Sequence, residues 1–126
     1  MRILVTGSRN LKNYELVRDA LEEMVGNSCD PGEHVVIVHG ACPYGGADEH
    51  AQHWAEVAVN ASHEPHPADF KSLGRKAGPL RNQEMVDLGA DVCLAFPEKN
   101  SRGTWDCVRR AKAAGIPVEI YEEVES

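Results

Sequence analysis

At 126 residues and 42% hydrophobic, the chain has the length of one globular domain, enough to bury a real core and too little for two domains. A formal net charge of −7 argues against a general nucleic-acid or anionic-membrane surface, because either would reward a basic stripe. No stretch approaches the roughly 18 apolar residues that span a bilayer, and the N-terminus lacks a signal-peptide core, so a cytoplasmic protein without a membrane partner is expected.

In chain order, Arg2 to Thr6 (RILVT) is a short apolar run that reads as a buried strand ending at Gly7. In the loop that follows, Gly7 permits unusual backbone conformations, while Ser8 and Arg9 offer hydroxyl, amide and guanidinium donors. The same stretch also reads as a polar turn before a helix capped by Asn10 or Asn13. Neither a GxGxxG nor a GxxxxGK[ST] pattern is present, so dehydrogenase and P-loop mechanisms have no support. Tyr14, Val17, Leu21 and Met24 then recur at helical spacing as far as Gly26.

The second strand, His34 to His39, ends at Gly40 and leads into Ala41-Cys42-Pro43-Tyr44-Gly45-Gly46-Ala47-Asp48. Gly45 and Gly46 precede a helix whose free amides can face an anion or a ribose. Asp48 can accept from sugar hydroxyls, cap its own helix, or do both. Ala51, Trp54, Ala55 and Ala58 mark that helix, and a weaker strand falls near Val59 to Glu64. A long connection, Ser62 to Gly74, has the length to cover a site.

Gly78-Pro79 introduces a third helix, with Pro79 at its first position and Gly89 at its end. Arg81 then lies in the first turn, where a cation opposes the helix dipole, so a phosphate or a surface salt bridge is needed to account for it. Met85, one turn on, reads as core. Asp91 to Phe96 is a further buried strand ending at Pro97. After it, Ser101, Arg102, Gly103 and Thr104 supply amides and hydroxyls at a helix start, either a phosphate cradle or an ordinary helix capped by Ser101 or Thr104. Trp105, Val108 and Ala111 mark this last helix, stopped by Gly115 and Pro117, and Ile116 to Tyr121 is the closing strand. Trp105 and Cys107 read as packing residues.

Strands apolar on both faces, alternating with helices, predict an α/β fold: a Rossmann-like, three-layer domain over residues 1–126, with a parallel sheet of about five strands flanked by helices. Right-handed crossovers place every strand-to-helix loop at one edge of the sheet, where such folds bind ligands. Arg9, Arg75, Lys76, Arg81 and Arg102 fall in or beside those loops, whereas Glu119, Glu122, Glu123 and Glu125 make an acidic tail. Cys29, Cys42, Cys93 and Cys107 form no close CxxC pair and are expected as free thiols. His50-x-x-His53 and His63-x-x-His66 belong to no convincing four-ligand set, so no metal is expected.

Taken together, Gly7-Ser8-Arg9, HGACPYGGADEHAQHWA at 39–55, PADF at 67–70, AGPLRNQEMVDLGADVCLAFP at 77–97 and SRGTWDCVRRAKAAGIPV at 101–118 resemble the SLOG superfamily. The likeness is to its YspA-like (cpYpsA-related) branch of small bacterial and phage proteins, and it covers nearly the whole chain. It implies a domain that binds a nucleotide or a nucleotide-derived small molecule, related to the Lonely Guy phosphoribohydrolases and more distantly to DprA. Those hydrolases carry an Arg-Lys pair before the fourth strand and a PGGxGTxxE loop after it. Arg81, Met85, Gly103 and Thr104 match that pattern, whereas Asn82 replaces the lysine, Cys107 replaces the glutamate and the glycine pair is missing.

The resemblance therefore implies a binding or sensing module in which Gly7, Ser8, Arg9, Gly45, Gly46, Asp48, Arg81, Ser101, Arg102, Gly103 and Thr104 hold the ligand, with no separate cofactor. The alternative is a hydrolase of a nucleotide N-glycosidic bond. With the glutamate absent, Asp48, Glu98 and Asp106 are the carboxylates available to support positive charge on the ribose or to activate water. Single-stranded DNA binding conflicts with the net charge. A homodimer, as in related families, would use a helix face bearing Trp54 or Trp105 unless these are core.

Overall fold

The apolar runs form five strands and the periodic segments form the helices between them. The structure is a computed structural model that describes residues 1–122, so Glu123 and Glu125 of the acidic tail lie outside the described residues. Strands β1 (Arg2–Gly7), β2 (Val35–His39), β3 (Ala61–Pro65), β4 (Val92–Phe96) and β5 (Val118–Ile120) form one parallel sheet in the order β3-β2-β1-β4-β5. The Rossmann-like α/β architecture expected from the sequence is the one observed. Strand order reverses at β1, so the loops after β1 and β4 lead to helices on opposite faces of the sheet, the point in such folds where ligands bind.

Side-chain alternation along β1 divides the core in two. Ile3 and Val5 pack with Val17 and Leu21 of α1 (Tyr14–Ser28) and with Ala51 and Trp54 of α2 (Ala47–Val57). Leu4 faces the other way, joining Val38, Cys93 and Met85 of α4 (Ala77–Asp87), and Cys107 and Ala111 of α5 (Arg102–Ala113). Burying side chains of this size contributes roughly 1.5–3 kcal/mol each, so both helical layers are held by the sheet. Arg2 adds a polar tie across β2: its guanidinium donates to both carboxylate oxygens of Glu64 on β3, at 3.1 and 3.0 Å.

Some local expectations change. Helix α1 runs through the exposed Gly26 to Ser28, since one glycine costs only about 1 kcal/mol and the turn around it is otherwise intact. Asn13, one of the two expected caps, accepts from the Leu16 amide at 3.2 Å. The long connection contains a short helix α3 (Phe70–Leu73), capped by Asp69, and a 3₁₀ turn, Gly74–Lys76, that runs into α4. Helix α4 therefore begins at Ala77, and Pro79 is its third residue rather than its first. Proline is still tolerated there because amides of the first turn lack intrahelical acceptors. Trp54 is core, with Nε1 donating to Glu22 at 3.0 Å, while Trp105 is 37% exposed. Among the described residues, no helix is long and apolar enough to cross a membrane.

Candidate functional site

The loop after β1 is locked to the start of α2 by close backbone approach. The Ser8 carbonyl accepts the Ala47 amide at 3.0 Å, the Ser8 amide donates to the Phe96 carbonyl at 3.0 Å, and Ser8 Oγ accepts the Asn10 amide at 3.0 Å. Gly46 makes this approach feasible, for a β-carbon there would meet the Ser8 carbonyl oxygen and lie 2.5 Å from Arg9 Cα. Gly7 is equally tight, its missing β-carbon falling 2.5 Å from Ala47 Cβ and 2.9 Å from Phe96 Cβ. Gly7, Ser8 and Gly46, all expected to touch ligand, thus join the loop after β1 to the start of α2 and the end of β4.

At the end of β2, Arg81 and Asp48 converge over Gly40. Arg81 Nη1 donates to the Gly40 carbonyl at 2.6 Å and to the His66 carbonyl at 3.4 Å, and its Nε donates to Asn82 Oδ1 at 3.0 Å. A β-carbon on Gly40 would lie 2.7 Å from Arg81 Cζ and 3.0 Å from Asp48 Oδ2, so glycine leaves room for both charged groups. Because α4 starts at Ala77, Arg81 sits in its second turn, and the helix-dipole conflict expected from the sequence does not arise. What holds Arg81 in place is its reach across the sheet edge to two loop carbonyls.

Gly46 is the N-cap of α2 and makes no side-chain cap bond, and Asp48 does not cap the helix either. Its Oδ2 instead turns back to accept the Cys42 amide at 3.2 Å. Burial dominates its environment and pushes the carboxyl up to about 6, opposed by the charge of Arg81 and by the Cys42 and Gly40 amides. A carboxyl with that value is divided between its two forms near pH 6 and is mostly ionised at pH 7.

The other two carboxylates stand differently. Asp106 Oδ2 accepts from Asn82 Nδ2 at 3.0 Å and from Arg110 Nε at 2.9 Å, in the seam between α4 and α5. Burial opposes ionisation there, but the bonds from Arg110 and Asn82 and the charges of Arg110 and Arg109 hold Asp106 below the usual carboxylate range. Glu98 is exposed on the loop after β4, where its amide donates to Ser101 Oγ at 2.8 Å. That loop turns through Asn100 with φ of 69°, asparagine filling a left-handed position where glycine is usual. Ser101 is the N-cap of α5 but makes no side-chain cap bond. Arg102 and Gly103 are exposed and Thr104 is buried.

Asn82, which stands where the resemblance leads one to expect lysine, binds the site together. Its amide accepts from Arg81 and donates to the Gly103 carbonyl at 3.2 Å as well as to Asp106. The result is a continuous polar path from Gly40 through Arg81 and Asn82 to the first turn of α5.

A buried histidine went unread in the sequence. His39 is fully enclosed at the end of β2; its Nδ1 accepts the Ala41 amide at 3.0 Å and its Nε2 lies 2.9 Å from His63 Nδ1. The only signal for it was the polar residue closing an apolar run. Burial, then the nearby His63, His66 and Arg81, push His39 down to about 4. A folded value below the unfolded 6.5 means that this group's stabilising contribution is complete above pH 6.5 and is lost as pH falls toward 4. The shift corresponds to about 3 kcal/mol. Urea unfolding of wild type and His39→Gln at pH 7 and pH 4.5 should show the variant losing distinctly less stability between the two. An equal loss in both proteins would sink this assignment.

Among the described residues no group of three or more histidine, cysteine, aspartate or glutamate side chains is arranged to hold a metal ion. His50 Nε2 instead lies 2.8 Å from the Leu11 carbonyl, and the rings of His50 and His53 meet Tyr14 edge-on.

The fold and this edge define a small Rossmann-type domain with charged side chains gathered at the carboxyl edge of its sheet. Residues 1–72 match the model of the YspA, cpYpsA-related SLOG family, and the chain belongs to that family. It is also 47% identical over 121 residues to the Gene 61 protein of Mycobacterium phage D29, covering 93% of each chain. No solved structure matches it significantly.

Proposed function

We propose that this protein binds a nucleotide or nucleotide-derived small molecule at the carboxyl edge of its sheet, as a binding or sensing module. The observation that carries the reading is the Arg81 guanidinium, held over Gly40 beside the buried Asp48 carboxyl. A planar, permanently charged fork suits a phosphate, and a carboxylate beside it suits ribose hydroxyls. Gly103 and Thr104 add the start of α5 on the far side of the Arg81-Asn82 path, where amides and dipole favour an anion.

Thermal unfolding with AMP, other nucleoside monophosphates, ADP-ribose, NAD and cyclic dinucleotides tests this. At about a hundred times its dissociation constant, a ligand adds roughly 2.7 kcal/mol, which for a domain of this size raises Tm by roughly 10 °C. A panel in which no compound moves Tm would refute the reading.

A second reading, hydrolysis of a nucleotide N-glycosidic bond, is favoured by one observation: Asp48 is buried at the edge and pushed up to about 6. In such a reaction the glycosidic electron pair leaves with the base nitrogen. Water then bonds to the anomeric carbon and gives its proton to the Asp48 carboxylate. Base release would rise with pH through about 6 and vanish in Asp48→Asn. Asp106 is the weaker candidate, because Asn82 and Arg110 already occupy it.

A further inference from the structure

We propose that Tyr44 recognises the base of the bound nucleotide, its ring braced on one face by Arg9 and stacking a purine on the other. This rests on the nucleotide reading above and specifies its ligand.

Tyr44 is 74% exposed, an unusual placement for a side chain that would gain from burial. The other two tyrosines are packed, Tyr14 against His50 and His53 and Tyr121 against Phe96. Arg9 Cζ lies 5.4 Å from the Tyr44 ring centroid, a cation-π distance. A guanidinium on one face restrains the ring and leaves the opposite face open to an aromatic base.

The loop that carries Tyr44 is pinned at both ends to neighbouring elements of the sheet edge. The Cys42 amide donates to Asp48, the Gly45 amide closes a turn onto the Cys42 carbonyl at 3.3 Å, and Gly46 lies against the backbone of Ser8 and Arg9. Ala41, Gly45 and Gly46 all have positive φ, at 51°, 92° and 80°, and these conformations turn the chain so that Tyr44 faces outward. Both partners of the stack are therefore tied by backbone contacts to the same loops that hold Asp48 and Arg81. Asp48 Oδ2 accepts the Cys42 amide two residues before Tyr44, so a ribose at Asp48 lies beside the loop that carries the ring. Stacking is read by ring area, so a purine is favoured over a pyrimidine.

The test uses the full chain, with AMP, GMP, UMP, ribose 5-phosphate and the fluorescent 2-aminopurine riboside 5′-monophosphate. Wild type should bind the purine nucleotides more tightly than UMP and quench 2-aminopurine emission. Tyr44→Ala should weaken AMP and GMP by roughly tenfold to a hundredfold, leave ribose 5-phosphate unchanged and abolish the quenching. Tyr44→Trp should restore both, whereas Tyr44→Leu should restore neither. Unchanged purine affinity in Tyr44→Ala, equal weakening of ribose 5-phosphate, or UMP binding as tight as AMP would each overturn the role of Tyr44 while leaving the nucleotide site standing. Failure of wild type to bind any of these compounds would overturn the role of Tyr44, whereas the nucleotide reading falls only if ADP-ribose, NAD and the cyclic dinucleotides also fail to shift Tm.

Discussion

Gly46→Ala should destabilise the folded chain by about 3–5 kcal/mol, the largest effect expected of any single methyl group at this site. Gly46 combines φ of 80° with ψ of −149°, a region that side-chain-bearing residues avoid. Its added carbon would also run into the backbone of Ser8 and Arg9, which cannot swing aside as a flexible side chain would. Relief would require breaking the bond from the Ala47 amide to the Ser8 carbonyl, and with it the seam between β1 and α2. Against a typical total of 5–15 kcal/mol, a loss of this size leaves a small domain close to unfolding. Gly103→Ala is the matched control, because nothing lies within 4 Å of its missing β-carbon and its φ is not positive. Urea unfolding should separate the two variants clearly. A Gly46→Ala midpoint equal to that of Gly103→Ala would show that the clamp between the two loops is not a rigid feature of the fold.

Arg81→Ala should remove the Tm shift produced by whichever compound stabilises wild type, a loss of roughly 2.7 kcal/mol at a hundredfold excess of ligand. The variant should also be less stable without ligand, by about 1.5–3 kcal/mol, since it loses charge-assisted bonds to Gly40 and Asn82. Losing the cation pushes the Asp48 carboxyl further above its ordinary value. For an acid raised in the folded state, the protonated form is the favoured one, and the penalty grows as pH rises through the folded value. The destabilisation of Arg81→Ala should therefore be greater at pH 8 than at pH 5. Arg81→Lys separates charge from geometry: it should recover part of the pH 8 stability but not the ligand shift, because an ammonium lacks the guanidinium fork. A full ligand shift retained in Arg81→Ala would remove this residue from the site.

Much of the candidate site was legible because its residues lie next to strand ends, and strand ends were readable. Ser8, Gly46, Asp48 and Arg81 were all singled out from their positions after an apolar run or within the helix that follows. Their working relations were not legible. Arg81 drew notice through a conflict with a helix dipole that vanished once the 3₁₀ turn moved the start of α4 to Ala77. Capping its own helix was one of the roles open to Asp48, and its carboxylate instead turns back to the loop. Gly40 was noted only as a strand end, although its missing side chain makes the room in which Arg81 and Asp48 meet.

By itself, the sequence determined the strands, the four longer helices, the parallel sheet and the edge at which the strand-to-helix loops gather. Each of these follows from short-range hydrophobic periodicity and from the one handedness allowed to a crossover. Only the tertiary structure decided which polar residues meet. The contacts of Arg81 with Gly40, of Asn82 with Asp106 and of His39 with His63 join residues 41, 24 and 24 positions apart, and no local pattern encodes such pairings. The same physics decided which carboxylate is unusual: Asp48 and Asp106 are alike in the sequence, and burial raises the one while two hydrogen bonds hold the other down.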